Sequence, residues 1–143
     1  MQVSETMTRD VCVCGPEERI RDCAAAMAKN DIGMLLVAEN NLLVGMVTDR
    51  DITIRAIAAG KGPETPVRDV LSKEVLYCFE DQGLEHVAKS MGLAKIHRLP
   101  VLTRDHRLAG MLSLADVARC SPETAGDAVA ALSKRGPPHT QSA

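Results

Sequence analysis

Gly45-Met46-Val47-Thr48-Asp49-Arg50-Asp51 and Gly110-Met111-Leu112-Ser113-Leu114-Ala115-Asp116 have one form: glycine, two apolar residues, a hydroxyl, two further residues, aspartate. Both stand where a short apolar run gives way to a helical pattern. Thr48-x-x-Asp51 and Ser113-x-x-Asp116 therefore read as capping boxes, in which the hydroxyl accepts one free amide of the helix and the acid accepts another. The two copies lie 65 positions apart. Upstream, Val3, Met7 and Val11 match Val67, Leu71 and Val75, each 64 positions on. Cys14 and Cys78, Ile20 and Leu84, Ala24 and Ala88, Met27 and Met91, Ile32 and Ile96, and Val37 and Val101 keep the same spacing. The one-residue slip falls in a turn, where insertions are absorbed. Ordered matches along a whole unit mark a duplication.

Each unit reads as strand, helix, strand, strand, helix. In the first, Val11–Cys14 is a strand stopped by Gly15-Pro16. A helix follows from about Pro16 to Asn30, with Ile20, Cys23, Ala24 and Met27 on one stripe. Met34–Ala38 and Leu42–Val47 are strands around the Glu39-Asn40-Asn41 turn, and Asp49–Ala59 is the second helix. The second unit repeats the order with strands Val75–Phe79, Leu99–Leu102 and Leu108–Leu112 and helices Leu84–Met91 and Leu114–Arg119. The units span residues 1–60 and 67–120, joined by a short Gly/Pro-rich linker. Residues 121–143 give a helix over Pro122–Arg135, signalled by Ser121-Pro122, and a disordered tail after Gly136-Pro137-Pro138.

Composition removes several classes of function. The chain has 143 residues, 45% hydrophobic, with a formal net charge of −2. That length holds a core without a metal or disulfide staple. One Tyr, one Phe and no Trp leave no aromatic platform for stacking single-stranded bases. The charge balance lacks the Lys/Arg excess that tracks a nucleic-acid backbone. The longest apolar run, Met34–Ala38, is far short of the about 20 residues that span a membrane. No export signal is read at Met1–Thr6, and five cysteines in such a chain suit free thiols in a reducing cytoplasm.

The repeated motif also has a chemistry beyond capping. A helix start presents free amides to a phosphate, and the hydroxyl adds a donor. A carboxylate one turn inward has acceptors for the two hydroxyls of a ribose. Gly45 and Gly110 would let a ligand approach the backbone closely. Val3-x-x-x-Met7-Thr8-Arg9-Asp10-Val11 at the start of the unit and the Gly45–Asp51 motif at its end together resemble a CBS domain. His97-Arg98-Leu99-Pro100-Val101 resembles that family's second-strand motif, and two such units in tandem resemble a CBS pair, or Bateman module.

The resemblance implies an α+β fold of tandem βαββα units packed sheet to sheet with pseudo-two-fold symmetry. It implies a regulatory module, not an enzyme, that binds AMP, ADP, ATP, S-adenosylmethionine or NAD between the units and requires no cofactor. By position, Asp51 and Asp116 would hold ribose hydroxyls, and Thr48 and Ser113 would contact phosphate. Arg50, His97 and Arg98 would supply cations, while Val11, Val13, Val75, Tyr77, Leu35 and Leu36 would line the adenine slot. The resemblance further implies a homodimer and a regulated protein partner.

The sequence departs from the family pattern at Val13 and Tyr77, where a hydroxyl is common, and at Leu36, where the second unit has Pro100. The second motif carries Leu114-Ala115 where the first carries Asp49-Arg50, so the two sites differ. These departures support an alternative: a ligand-free dimeric assembly subunit with degenerate sites. Cys12-x-Cys14 with His86 or His97 could be read as a zinc site. No standard zinc spacing is present, and small buried thiols as core filler is the simpler reading, so no metal site is assigned. No nucleophile elbow or other hydrolase motif occurs.

Overall fold

The computed structural model describes residues 1–134. The expected tail, with Arg135 and the Gly136-Pro137-Pro138 stop, lies outside the described residues. The elements run β1 (Val13–Cys14), α1 (Ile20–Asn30), β2 (Met34–Glu39), β3 (Leu42–Thr48) and α2 (Asp49–Asp51), which continues as a π-helix over Ile52–Ile57. Then come β4 (Cys78–Phe79), α3 (Leu84–Ala94), β5 (Arg98–Leu102), β6 (Leu108–Ser113), α4 (Leu114–Cys120) and α5 (Pro122–Leu132).

The duplication is visible residue by residue. One sheet orders β1-β2-β3 and the other β4-β5-β6. In each, the first pair is parallel and helix-connected, and the second is an antiparallel hairpin. Met34 faces Thr48 in one as Arg98 faces Ser113 in the other. Both hairpins carry a register shift at the same place, Val37/Ala38 and Val101/Leu102. Helices α1 and α3 both end on a non-glycine residue in the left-handed conformation, Asp31 (φ 53) and Lys95 (φ 59).

The cores, however, do not follow the repeat boundaries. Val3 and Met7 pack with β4–β6, α3, α4 and α5, whereas Val67, Val70 and Leu71 pack with β1–β3 and α1. The leading segment of each repeat thus belongs to the other repeat's core. Thr8 pairs with Met111 through two backbone hydrogen bonds, 2.9 and 2.8 Å. Ser72 pairs with Met46 in the same way, at 2.8 and 2.9 Å. These crossings shorten the expected first strands. Residues 9–12 and 73–77 pass from one sheet to the other, so pairing begins only at Val13 and Cys78.

The crossings also explain the glycines. A Cβ on Gly45 would lie 2.5 Å from the Ser72 carbonyl oxygen, and one on Gly110 2.5 Å from that of Thr8. The space expected to admit a ligand at these positions is instead filled by the chain itself. At the other end, α1 starts at Ile20 and not at Pro16, because Gly15–Arg19 turns under the linker. There the Ile20 N–H donates to the Thr65 carbonyl and the Arg68 N–H to that of Pro16. Helix α3 runs three residues past the expected end, and α5 lies across α3 and α4 with Ala125 and Ala128 buried.

Candidate functional site

Asp116 is the one buried charged residue among those described, 3% exposed, and its environment is built locally. Strand β6 ends at Ser113, whose hydroxyl accepts the Asp116 N–H at 3.1 Å. Asp116 Oδ2 accepts the Ser113 N–H at 2.9 Å, which completes the capping box read from the sequence. Oδ1 accepts the Thr8 hydroxyl from the crossing segment at 3.3 Å and pairs with the exposed Arg119 guanidinium. A buried carboxylate is stable only when its oxygens are partnered in this way. Oδ2 is committed to the cap. The partners of Oδ1 are a long hydrogen bond from Thr8 and the solvent-facing Arg119.

This carboxylate opens onto a cleft of about 360 Å³ between the two sheets. Of the residues expected there, Val11, Leu36, Arg98, Ser113 and Asp116 line it together. Val11 and Leu36 give an apolar wall, and Arg98 is an exposed cation at the start of β5. Thr8, Asp10, Cys12, Asn30, Asp31, Gly33 and Met34 also line it and were not singled out from the sequence. The signal for Thr8, Asp10 and Cys12 was present: they flank Val11 in the segment that opens the repeat.

The first motif is arranged alike around Asp51. Thr48 Oγ1 accepts the Asp51 N–H at 3.0 Å, and Asp51 Oδ2 accepts the Thr48 N–H at 2.9 Å. Arg55 Nε stands 3.7 Å from Oδ1, so this carboxylate is held more loosely. Arg50 and His97 are both exposed; the His97 carbonyl accepts the Leu114 N–H.

Several expected residues lie elsewhere. Leu35 is packed in the core among Cys14, Ile20 and Val47, because successive strand residues face opposite sides and only Leu36 of the pair can face the cleft. Gly110 is sealed beneath Thr8. Val13 is half exposed on the edge strand β1. Val75, Tyr77 and Gly45 line a different groove of about 310 Å³ with Lys73 and His106, between the two hairpins. There Tyr77, Phe79 and His106 stack edge to face with centroids 5.5 to 6.0 Å apart, and Arg104 covers Phe79 at 4.2 Å.

The five cysteines are free. Cys14 is held protonated by a hydrogen bond to Cys23 and by burial, and burial pushes the Cys78 thiol up to about 12. Among the described residues no group of three or more His, Cys, Asp or Glu is placed to hold a metal ion. No helix among them is long and apolar enough to cross a membrane.

Comparison with known proteins gives the same architecture. The family model for the CBS domain matches twice, over residues 3–56 and 67–123. The CBS domain-containing protein YhcV of Bacillus subtilis is 35% identical over 133 residues, covering 92% of this chain and 94% of that protein. Hypoxic response protein 1 of Mycobacterium tuberculosis is 33% identical over 123 residues, 85% of each chain. The crystal structure of Hypoxic Response Protein I (HRPI) with two coordinated zinc ions superposes with a TM-score of 0.73 and covers 83% of this chain and 98% of that one at 30% identity. The crystal structure of CBSX2 in complex with AMP superposes with a TM-score of 0.74 at 25% identity, covering 85% and 96%. The chain belongs to the CBS domain family and carries two CBS domains in tandem.

Proposed function

We propose that this CBS pair is a regulatory module that binds an adenosine-containing nucleotide between its two units and thereby changes its affinity for a protein partner. The observation that carries the reading is Asp116: a buried carboxylate beside a hydroxyl, opening onto a cleft with an apolar wall and an arginine. The AMP complex of the similar CBSX2 supports the ligand class. In this reading Asp116 and Asp51 hold ribose hydroxyls, and Ser113 and Thr48 contact phosphate. Arg98, His97 and Arg50 balance its charge, while Val11 and Leu36 flank the base. Residues 1–60 and 67–120 are the duplicated units. The chain works by binding and not by catalysis, in the cytoplasm, where its thiols stay reduced.

The mechanism is a population shift. The cleft walls come from both units, so a ligand that touches both favours one mutual arrangement in proportion to its differential affinity. Exposed Ile54, Ile57 and Leu93 on the helical faces suit a homodimer, for which sedimentation should return twice the 15.3 kDa chain mass. Isothermal titration with AMP, ADP, ATP, NAD and S-adenosylmethionine tests the ligand. At least one should bind, and Asp116→Asn should weaken it at least tenfold. Silence with all five overturns the reading.

One observation favours a second reading, a ligand-free assembly subunit. Arg119 already occupies Asp116, and Tyr77 and Val13 replace the family's hydroxyls. Native mass spectrometry separates the two, since a sensor purified from cells retains a nucleotide-sized mass and an assembly subunit does not.

A further inference from the structure

One wall of the Asp116 cleft is the stretch of chain that crosses from one sheet to the other, and a polar contact marks each of its ends. At one end the Thr8 hydroxyl donates to Asp116 Oδ1 at 3.3 Å. At the other end the Cys12 sulfur lies 3.9 Å from the side-chain nitrogen of Asn30, the last residue of α1. Thr8, Cys12, Asn30 and Asp116 all line the cleft, together with the apolar Val11 and Leu36. The four residue steps from Thr8 to Cys12 reach at most about 14 Å. That is room for a nucleoside laid with its ribose hydroxyls at Asp116 and the far edge of its base at Asn30.

The amide of Asn30 is held in one orientation. Its Nδ2 donates to the Ala26 carbonyl, one helical turn back, at 2.8 Å and faces the Cys12 sulfur. A carbonyl oxygen only accepts, so the amide cannot turn over without setting two oxygens against each other. Both of its N–H groups are thereby spent. Among the described residues no donor reaches Oδ1, which keeps its acceptor capacity at an exposed position on the cleft wall. The duplication shows that this arrangement is particular to one side. The counterparts of Cys12 and Asn30 are Leu76 and Ala94, which offer neither a thiol nor an amide.

We propose that Asn30 reads the base in the Asp116 cleft, accepting a 6-amino purine and rejecting a 6-oxo purine. Adenine carries an amino donor at its 6-position, which suits the unspent Oδ1. Guanine and hypoxanthine carry a carbonyl oxygen there. With those bases two acceptors would face each other beside the apolar wall, where an unmatched polar group costs more than in water. Selection of this kind works by penalising the wrong base as well as by holding the right one. The proposal rests on the nucleotide reading above and adds the residue that chooses the base.

Titration calorimetry with AMP and with IMP tests it, because the two share ribose and phosphate and differ only at the purine 6-position and the adjoining N1 proton. At the site that Asp116→Asn removes, the wild type should bind AMP at least about tenfold more tightly than IMP. Asn30→Ala should bring the two within about twofold, chiefly by weakening AMP. Alanine suits this helix end, since Ala94 closes α3 at the matching place. Asp31→Asn, at the neighbouring cleft residue, should keep the wild-type ratio. Thermal melting checks the fold of each variant, and if Asn30→Ala melts early the wild-type ratio alone decides. Where another of the five adenosyl ligands is the one that binds, adenosine and inosine are compared as its competitors. IMP bound as tightly as AMP by the wild type, or a preference that survives Asn30→Ala, overturns the base selection and leaves the nucleotide reading standing. Silence with every adenosyl ligand overturns the nucleotide reading itself, and this inference with it.

Discussion

Gly110 shows how much one missing side chain carries. Its hydrogen faces the Thr8 carbonyl, and a methyl in its place would stand 2.5 Å from that oxygen and 3.1 Å from the Met7 sulfur. The obstruction is backbone, so rotamer adjustment cannot relieve it. Gly110→Ala should cost about 1–3 kcal/mol, read as a lower urea midpoint, and an unchanged midpoint would contradict the account. Thr48, Asp51, Ser113 and Asp116 were legible in the sequence because a capping box is a local device, set by residues three apart. The role of Gly110 was not, because a glycine at a close approach does not say what approaches. Leu35 and Leu36 were misread as a pair for a related reason: in a continuous apolar run nothing in the sequence tells the core face from the cleft face.

Among the elements, strands and helices appeared where apolar periodicity and Gly/Pro punctuation put them, but the crossing segments did not. Val3 and Val67 are both apolar at matching positions, and that pattern is identical whether each joins its own unit's core or the other's. Only the three-dimensional pairing of Thr8 with Met111 and Ser72 with Met46 shows the exchange. Helix α5 breaks the symmetry. It covers the outer face of α3 and α4 and crosses at Gly92, where a Cβ would lie 2.7 Å from the Ala128 carbonyl oxygen. The counterpart in α1 is Ala28, so the same helix could not seat on the first unit at that depth. Gly92→Ala should loosen α5 while leaving both sheets intact. Hydrogen exchange should then speed up in residues 122–132 and stay unchanged in β5 and β6; unchanged exchange in α5 would show that the close crossing does not hold it.

At the scale of the whole molecule, the exchange of leading segments means that neither unit has a complete core alone. The two sheets are fastened to each other by backbone hydrogen bonds and also by the hairpin tips, where the Leu108 N–H donates to the Asn41 carbonyl at 2.9 Å. The cleft beside Asp116 is walled by Thr8–Cys12 from one repeat and Met111–Asp116 from the other, so occupancy there is felt by both. The measurement that bears most directly on this is a crystal structure of the protein grown with AMP and adenosine together. Density for a ribose within hydrogen-bond distance of the Asp116 carboxylate, with its base against Val11 and Leu36, is the expected result. Both carboxylates still holding only their caps and arginines, with ligand absent or seated in the groove beside Tyr77 instead, would contradict it.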